Sequence, residues 1–237
     1  MFVFGFLLAL LPLLCSAQNG KVIAVDVGHF KARPGATSAH GRPEFEFNAA
    51  LAEVIGADLS AHGAAIVPIG MAGDMAELTK RTQLANAAKA ALFLSVHHDS
   101  VQAQFLKPWQ FQGKDLKHSD YASGFSLFVS RKNPDLATSL KCASAMGKAL
   151  KAQGFHASQH HAEAIEGENK AWADQDNGVF FYDNLVVLKT AAMPAVLLEA
   201  GVIANRLDEE NVQKPETQKK IATAVRQGLQ HCGVLSK

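Results

Sequence analysis

The sequence predicts a single α/β domain with a mostly parallel central sheet flanked by helices on both faces. Two observations carry that class. Apolar runs of strand length alternate with longer segments of helical spacing. In addition, 48% of the 237 residues are hydrophobic and only 19% charged, enough to bury a full core and too apolar for a disordered chain or a collagen-like polymer. No internal repeat, low-complexity tract or linker divides the chain beyond residue 17. Twenty-three Lys and Arg against twenty-two Asp and Glu leave a formal charge of +1, no surplus to neutralise a phosphate backbone, so no nucleic-acid partner is expected.

Met1 to Ala17 carry no charged side chain and run through a short apolar core to Cys15-Ser16-Ala17. This reads as a secretory signal cut after Ala17, although no Lys or Arg follows Met1; the stretch is short for a spanning helix and contains Pro12. Leu14 stands where a lipoprotein signal needs a small residue before its cysteine. The expectation is an exported protein, periplasmic or extracellular, with residues 18–237 as one soluble domain and no stable membrane insertion once the signal is removed. Cys142 and Cys232 then remain, either as one disulfide or as two separate buried thiols.

Lys21 to Gly28 is the first strand. Glu44 to His62 is helical, with Leu51, Val54, Ile55 and Leu59 on one face and Gly63 as the stop. Ala64 to Ile69 is the second strand. Asp74 and Glu77 have the spacing of a capping box for a helix over Met75–Ala90, which leads into the strand Ala91 to Val96. Ser100 to Ala122 reads as a long polar connection carrying Trp109, Phe111 and Tyr121, either packed or placed to stack on substrate. Gly124 to Val129 is a strand, and Asn133-Pro134-Asp135 opens a helix that Gly154 closes. Residues 155–178 read as irregular. Ala195 to Leu198 is the last strand and Pro215 to Gln230 the last helix.

Three strands end on ionisable residues: Asp26-Val27-Gly28-His29, Ser95-Val96-His97-His98-Asp99, and Leu198-Glu199-Ala200-Gly201. Open α/β sheets bind ligands outside the carboxyl ends of their strands, so His29, His97 and Glu199 can share one crevice, with Glu44 at the start of the following helix on the same rim. Two imidazoles and a carboxylate suit zinc with an open fourth position. Taken singly, a strand-end histidine is more often a hydrogen-bonded structural residue, and a first-turn Glu often only complements the helix dipole. Asp26 is either an outer carboxylate orienting a ligand imidazole or a turn residue. Glu46 rivals Glu44, but two residues along a helix turn it about 200°, so at most one can ligate. His98 alternates to the opposite sheet face and is left out of the site.

The same residues resemble the zinc-dependent N-acetylmuramoyl-L-alanine amidases of the Amidase_3 type. Asp26-Val27-Gly28-His29 is similar to that family's Asp-Pro-Gly-His opening, and Glu44-Phe-Glu-Phe-Asn48 to its Glu-x-x-x-Asn helix start. Arg81-Thr-Gln-Leu-Ala-Asn86, Ala91-Leu-Phe-Leu-Ser-Val-His97, and Leu188 to Gly201 with Glu199 and the later Asn205 follow in family order. The resemblance implies His29, Glu44 and His97 as zinc ligands, Glu199 as the catalytic acid-base residue, Zn2+ as cofactor and peptidoglycan or muropeptides as substrate. The implied reaction is hydrolysis of the amide between the lactyl group of N-acetylmuramic acid and L-alanine. Val27, Phe30, Lys31, His98 and Val202-Ile203-Ala204 depart from the family pattern without removing a ligand.

Arg81 and Asn86 are expected to give packing or hydrogen-bond support rather than to touch substrate. The segment after the strand Gly124–Val129 is too short for a long plugging insertion, so the site is expected to be open or controlled by residues 155–177, where Glu163, Glu166 and Glu168 read as plug ligands or as a solvated acidic loop. The rival functions are a zinc peptidase acting on wall peptides and a non-catalytic wall-binding or regulatory module.

Overall fold

The computed structural model describes residues 20–236; the secretory signal assigned to residues 1–17 lies outside them. Near-continuous apolar runs build the centre of a seven-stranded sheet. β1 (Val22–Val27) lies between β2 (Ala65–Ile69) and β3 (Leu92–Asp99), all parallel, and β3 pairs in parallel with β9 (Ala195–Val202). Beyond β9 the sheet continues through β6 (Ser126–Val129), antiparallel to β9, then β8 (Val179–Phe181) and β7 (Trp172–Asp174), giving the order β2-β1-β3-β9-β6-β8-β7. The expected mainly parallel α/β architecture is what forms.

Strands buried on both faces need apolar residues at every position, and alternate residues serve opposite layers. Ile23, Val25 and Val27 join Leu94, Val96 and Leu198 under α1 (Glu44–Ala61), α3 (Leu136–Ala152) and α6 (Pro215–Cys232). Ala24, Phe93 and Leu197 face the other way, packing with Ala85 of α2 (Leu78–Ala87) and Leu188 of α4 (Val186–Thr190). α5 (Arg206–Val212) follows β9, capped by Asn205, whose side chain accepts from the backbone N–H groups of Leu207 and Asp208. No helix among the described residues is long and apolar enough to cross a membrane.

Several elements depart from the sequence reading. α2 begins at Leu78 rather than Met75, and no side chain caps it: the Met75 carbonyl accepts from Arg81 and the Glu77 carboxylate from the Thr79 hydroxyl. β3 runs on to Asp99 and β9 to Val202, so His97 and Glu199 sit inside strands, in direct register. The long polar connection contains a separate hairpin, β4 (Lys107–Phe111) and β5 (Lys114–His118). Cys142 and Cys232 form a disulfide with Cα atoms 4.9 Å apart, joining α3 to the end of α6.

Candidate metal centre

The first strand delivers His29 in an unusual backbone state. Its φ is +65°, a left-handed value that bulky side chains rarely adopt, and the surroundings hold it there. Arg81, fully buried in α2, donates to the carbonyls of Val27 and His29 and pairs with Asp26 at 2.7 Å. Ser95 donates to the other Asp26 oxygen at 2.7 Å. Asp26 is therefore neither an orienting partner of the His29 ring nor a plain turn residue; with Arg81 it locks the chain that carries His29. Gly28 lets the His97 ring approach, since a Cβ there would lie 2.3 Å from that ring.

Glu44, the first residue of α1, is buried and joins the two imidazoles. Its Oε2 lies 3.0 Å from His29 Nε2 and its Oε1 3.2 Å from His97 Nδ1. Ala36 N–H and the Asn48 amide donate to the same carboxylate, each at 3.0 Å. Burial works against the charged form of Glu44, but the hydrogen bonds from His29 and His97 outweigh it and hold the carboxyl far below its usual range. Gly35, at φ +82°, closes the loop over the carboxylate; a Cβ there would come within 2.2 Å of Oε2. The His29, Glu44 and His97 ligand atoms all lie within 4.8 Å of one another, a donor set suited to zinc.

Glu199 is the register partner of His97 on the adjacent parallel strand, so both side chains emerge from one sheet face. An extra residue of β9 between Glu199 and Val202 makes a bulge there, a device that re-aims strand ends beside sites. Glu199 Oε2 is buried without a hydrogen-bond partner. Burial, with added repulsion from Asp99 and Glu44, pushes its carboxyl well above the usual range. Beside these residues a cavity of about 310 Å³ is lined by His29, His97, Phe30, Arg33 and Leu185.

Other sequence-singled residues fall elsewhere. Glu46 is exposed, pairs with Arg42 and lies outside the His29, Glu44 and His97 cluster. His98 is buried on the other sheet face, 2.9 Å from Asn48 Oδ1, with burial pushing its pKa down to about 4. Asn48 thus spans Glu44 and His98 from the second turn of α1; it stood in the quoted helix-start motif but carried no assigned role. Asn86 accepts from Ala192 N–H at 2.9 Å, supporting the entry to β9 as expected. Trp109 donates to the Ala39 carbonyl and packs with Phe111 and His40, while Tyr121 stacks on Phe105. The contacts of Trp109 and Phe111 with Ala39 and His40 fasten the hairpin to the loop before α1. Glu168 is not part of a solvated acidic loop: its side chain is 10% exposed and binds His161 and Lys170.

Residues 23–231 match the family model described as N-acetylmuramoyl-L-alanine amidase. The fold is similar to that of Ami1 from Mycobacterium smegmatis, an N-acetylmuramyl-L-alanine amidase, at 20% identity and a TM-score of 0.70, covering 91% of this chain and 98% of that one. It is also similar to an N-acetylmuramoyl-L-alanine amidase from Clostridium difficile 630, at 20% identity and TM-score 0.69 over 89% and 95% of the two chains. A third likeness is to the catalytic domain of CwlV from Bacillus (Paenibacillus) polymyxa var. colistinus, at 24% identity and TM-score 0.66 over 89% and 96%. No curated protein sequence matches the chain.

Proposed function

The chain belongs to the N-acetylmuramoyl-L-alanine amidase family, and on that premise we propose that it cleaves the amide between the lactyl group of N-acetylmuramic acid and the L-alanine of the stem peptide. In this reading His29, Glu44 and His97 hold one zinc ion and Glu199 moves the proton. The observation that carries it is the meeting of three ligand atoms from the bend after β1, from α1 and from β3 within 4.8 Å, next to a buried carboxyl on the neighbouring strand.

An amide is a poor electrophile, and its hydrolysis needs an activated water, stabilisation of the oxyanion and a proton for the departing amine. Zinc, when bound, supplies Lewis acidity toward the carbonyl and makes water more acidic. Glu199 accepts the proton of the attacking water and delivers it to the alanine nitrogen as the C–N bond breaks, leaving a lactyl carboxylate and a free peptide amine. A carboxyl whose proton affinity is raised by burial suits both halves of that transfer. Arg33 on the cavity wall offers a cation to the carboxylates of a stem peptide. Residues 1–17 act as the export signal, and the mature domain works outside the cytoplasm on wall material.

Glu199→Ala tests the assignment: turnover of purified muropeptides falls by about 10³-fold or more while the zinc content is retained. Activity that survives sinks the role of Glu199. Products cut within the stem peptide, rather than intact peptide released from sugar, point to the peptidase reading instead. Wild-type protein that binds muropeptides without releasing peptide supports a non-catalytic module.

A further inference from the structure

A second convergence of ligand-type atoms lies at the end of β3 and shares no residue with the His29, Glu44 and His97 cluster. Asp99 Oδ2 is 2.7 Å from His161 Nε2 and 3.3 Å from His160 Nε2, and the ligand atoms of all three residues lie within 4.8 Å of one another. The side chains are only 12%, 9% and 4% exposed, respectively. His160 Nε2 is buried and has no hydrogen-bond partner.

Each imidazole is oriented from behind. Ser158 Oγ lies 2.8 Å from His160 Nδ1, and Glu168 Oε2 lies 2.8 Å from His161 Nδ1. Glu168 is itself held by Gln102 at 3.2 Å and Lys170 at 3.1 Å. The Glu168 carboxylate accepts from His161 Nδ1–H and so favours the tautomer that presents an Nε2 lone pair, and the Ser158 hydroxyl is able to accept from His160 Nδ1–H in the same way. Without a cation, His161 faces a carboxylate oxygen at both ring nitrogens, and His160 Nε2 lies near Asp99 without forming a hydrogen bond. One divalent ion satisfies both Nε2 atoms and Asp99 together.

We propose that Asp99, His160 and His161 form a second binding site for a zinc-class divalent cation, separate from the His29, Glu44 and His97 centre. Two imidazoles and one carboxylate are the donor types for a borderline transition metal, and a hard cation would want more oxygen. Of the three residues, His160 also lines a cavity of about 260 Å³, together with Ser158, His156 and Glu163. The ion fastens the segment of residues 158–168 to the strand that carries His97.

The test is metal stoichiometry of the full mature protein, stripped with chelator, reloaded with Zn2+ and measured by elemental analysis. Wild type is expected to hold about two equivalents, His160→Gln about one, His29→Gln about one, and the double variant close to none. Co2+ loading adds a second readout: the visible absorption of one of two sites disappears in His160→Gln. If circular dichroism shows His160→Gln unfolded, Asp99→Asn takes its place with the same expectation. About one equivalent in wild type that His160→Gln retains overturns the site and leaves His161 as an imidazolium clamped between two carboxylates. A single equivalent that His160→Gln loses and His29→Gln keeps supports this site and overturns the zinc assignment at the other centre.

Discussion

Glu44 and His97 stand on regular structure, the first residue of α1 and the body of β3, and His29 on the bend just beyond β1. Buried main-chain contacts hold them, with Arg81 on two carbonyls and Asn48 bridging Gly28 and Glu44. Asp99 also stands on β3, but His160 and His161 come from a short 3-10 turn in the connection between α3 and β7, and their supports are the side chains of Ser158 and Glu168. Similar donors are therefore presented with unequal preorganisation. The first cluster is built by the folding of the core, whereas the second needs its outer side chains and its ion to hold a surface connection in place.

The largest effect that would sharpen this contrast comes from Arg81→Met. It leaves Asp26 buried without its partner and frees the carbonyls of Val27 and His29, so unfolding in urea should show a loss of about 3–5 kcal/mol. Zinc affinity at the first cluster should fall with it while the second is spared; a loss under about 1 kcal/mol would break the comparison. Next comes removal of the Cys142–Cys232 disulfide, which closes a separation of 90 residues between α3 and α6. Replacing both cysteines by Ala should lower stability by about 2–4 kcal/mol in denaturant titration and leave the metal content unchanged, since neither cluster lies on that helix pair. Smaller again is Glu168→Gln, which should weaken zinc at the second cluster by about 10- to 100-fold in a chelator competition and not at the first. Equal weakening at both would show that the clusters are not independent. Glu46→Gln should change stability by no more than about 0.5 kcal/mol and leave metal content intact, because its pair with Arg42 is exposed.

The first cluster was legible because its parts lie at places that local pattern marks. Strand ends show as the close of an apolar run, and Glu44 opens a helix whose apolar spacing is plain in Leu51, Ile55 and Leu59. Arg81 was read correctly as support, but its partner was not, since a contact with Asp26 across 55 residues leaves no local trace. β7 and β8, three residues each, are too short for alternation to declare them, and the hairpin β4–β5 was hidden in a charged, aromatic stretch. His160 and His161 carried no strand or helix signal; only the packing of their turn under Phe128 and Phe180 brings them to Asp99.

By itself the amino-acid order determined the α/β alternation and the residue types near the carboxyl ends of the strands, since hydrophobic period and chain-reversing residues act over a few positions. Tertiary structure alone decided that Asp26 pairs with Arg81, that the two cysteines meet, and that Asp99 gains two imidazoles. Those outcomes depend on distances between segments tens of residues apart, which follow from how the layers pack and not from any local pattern.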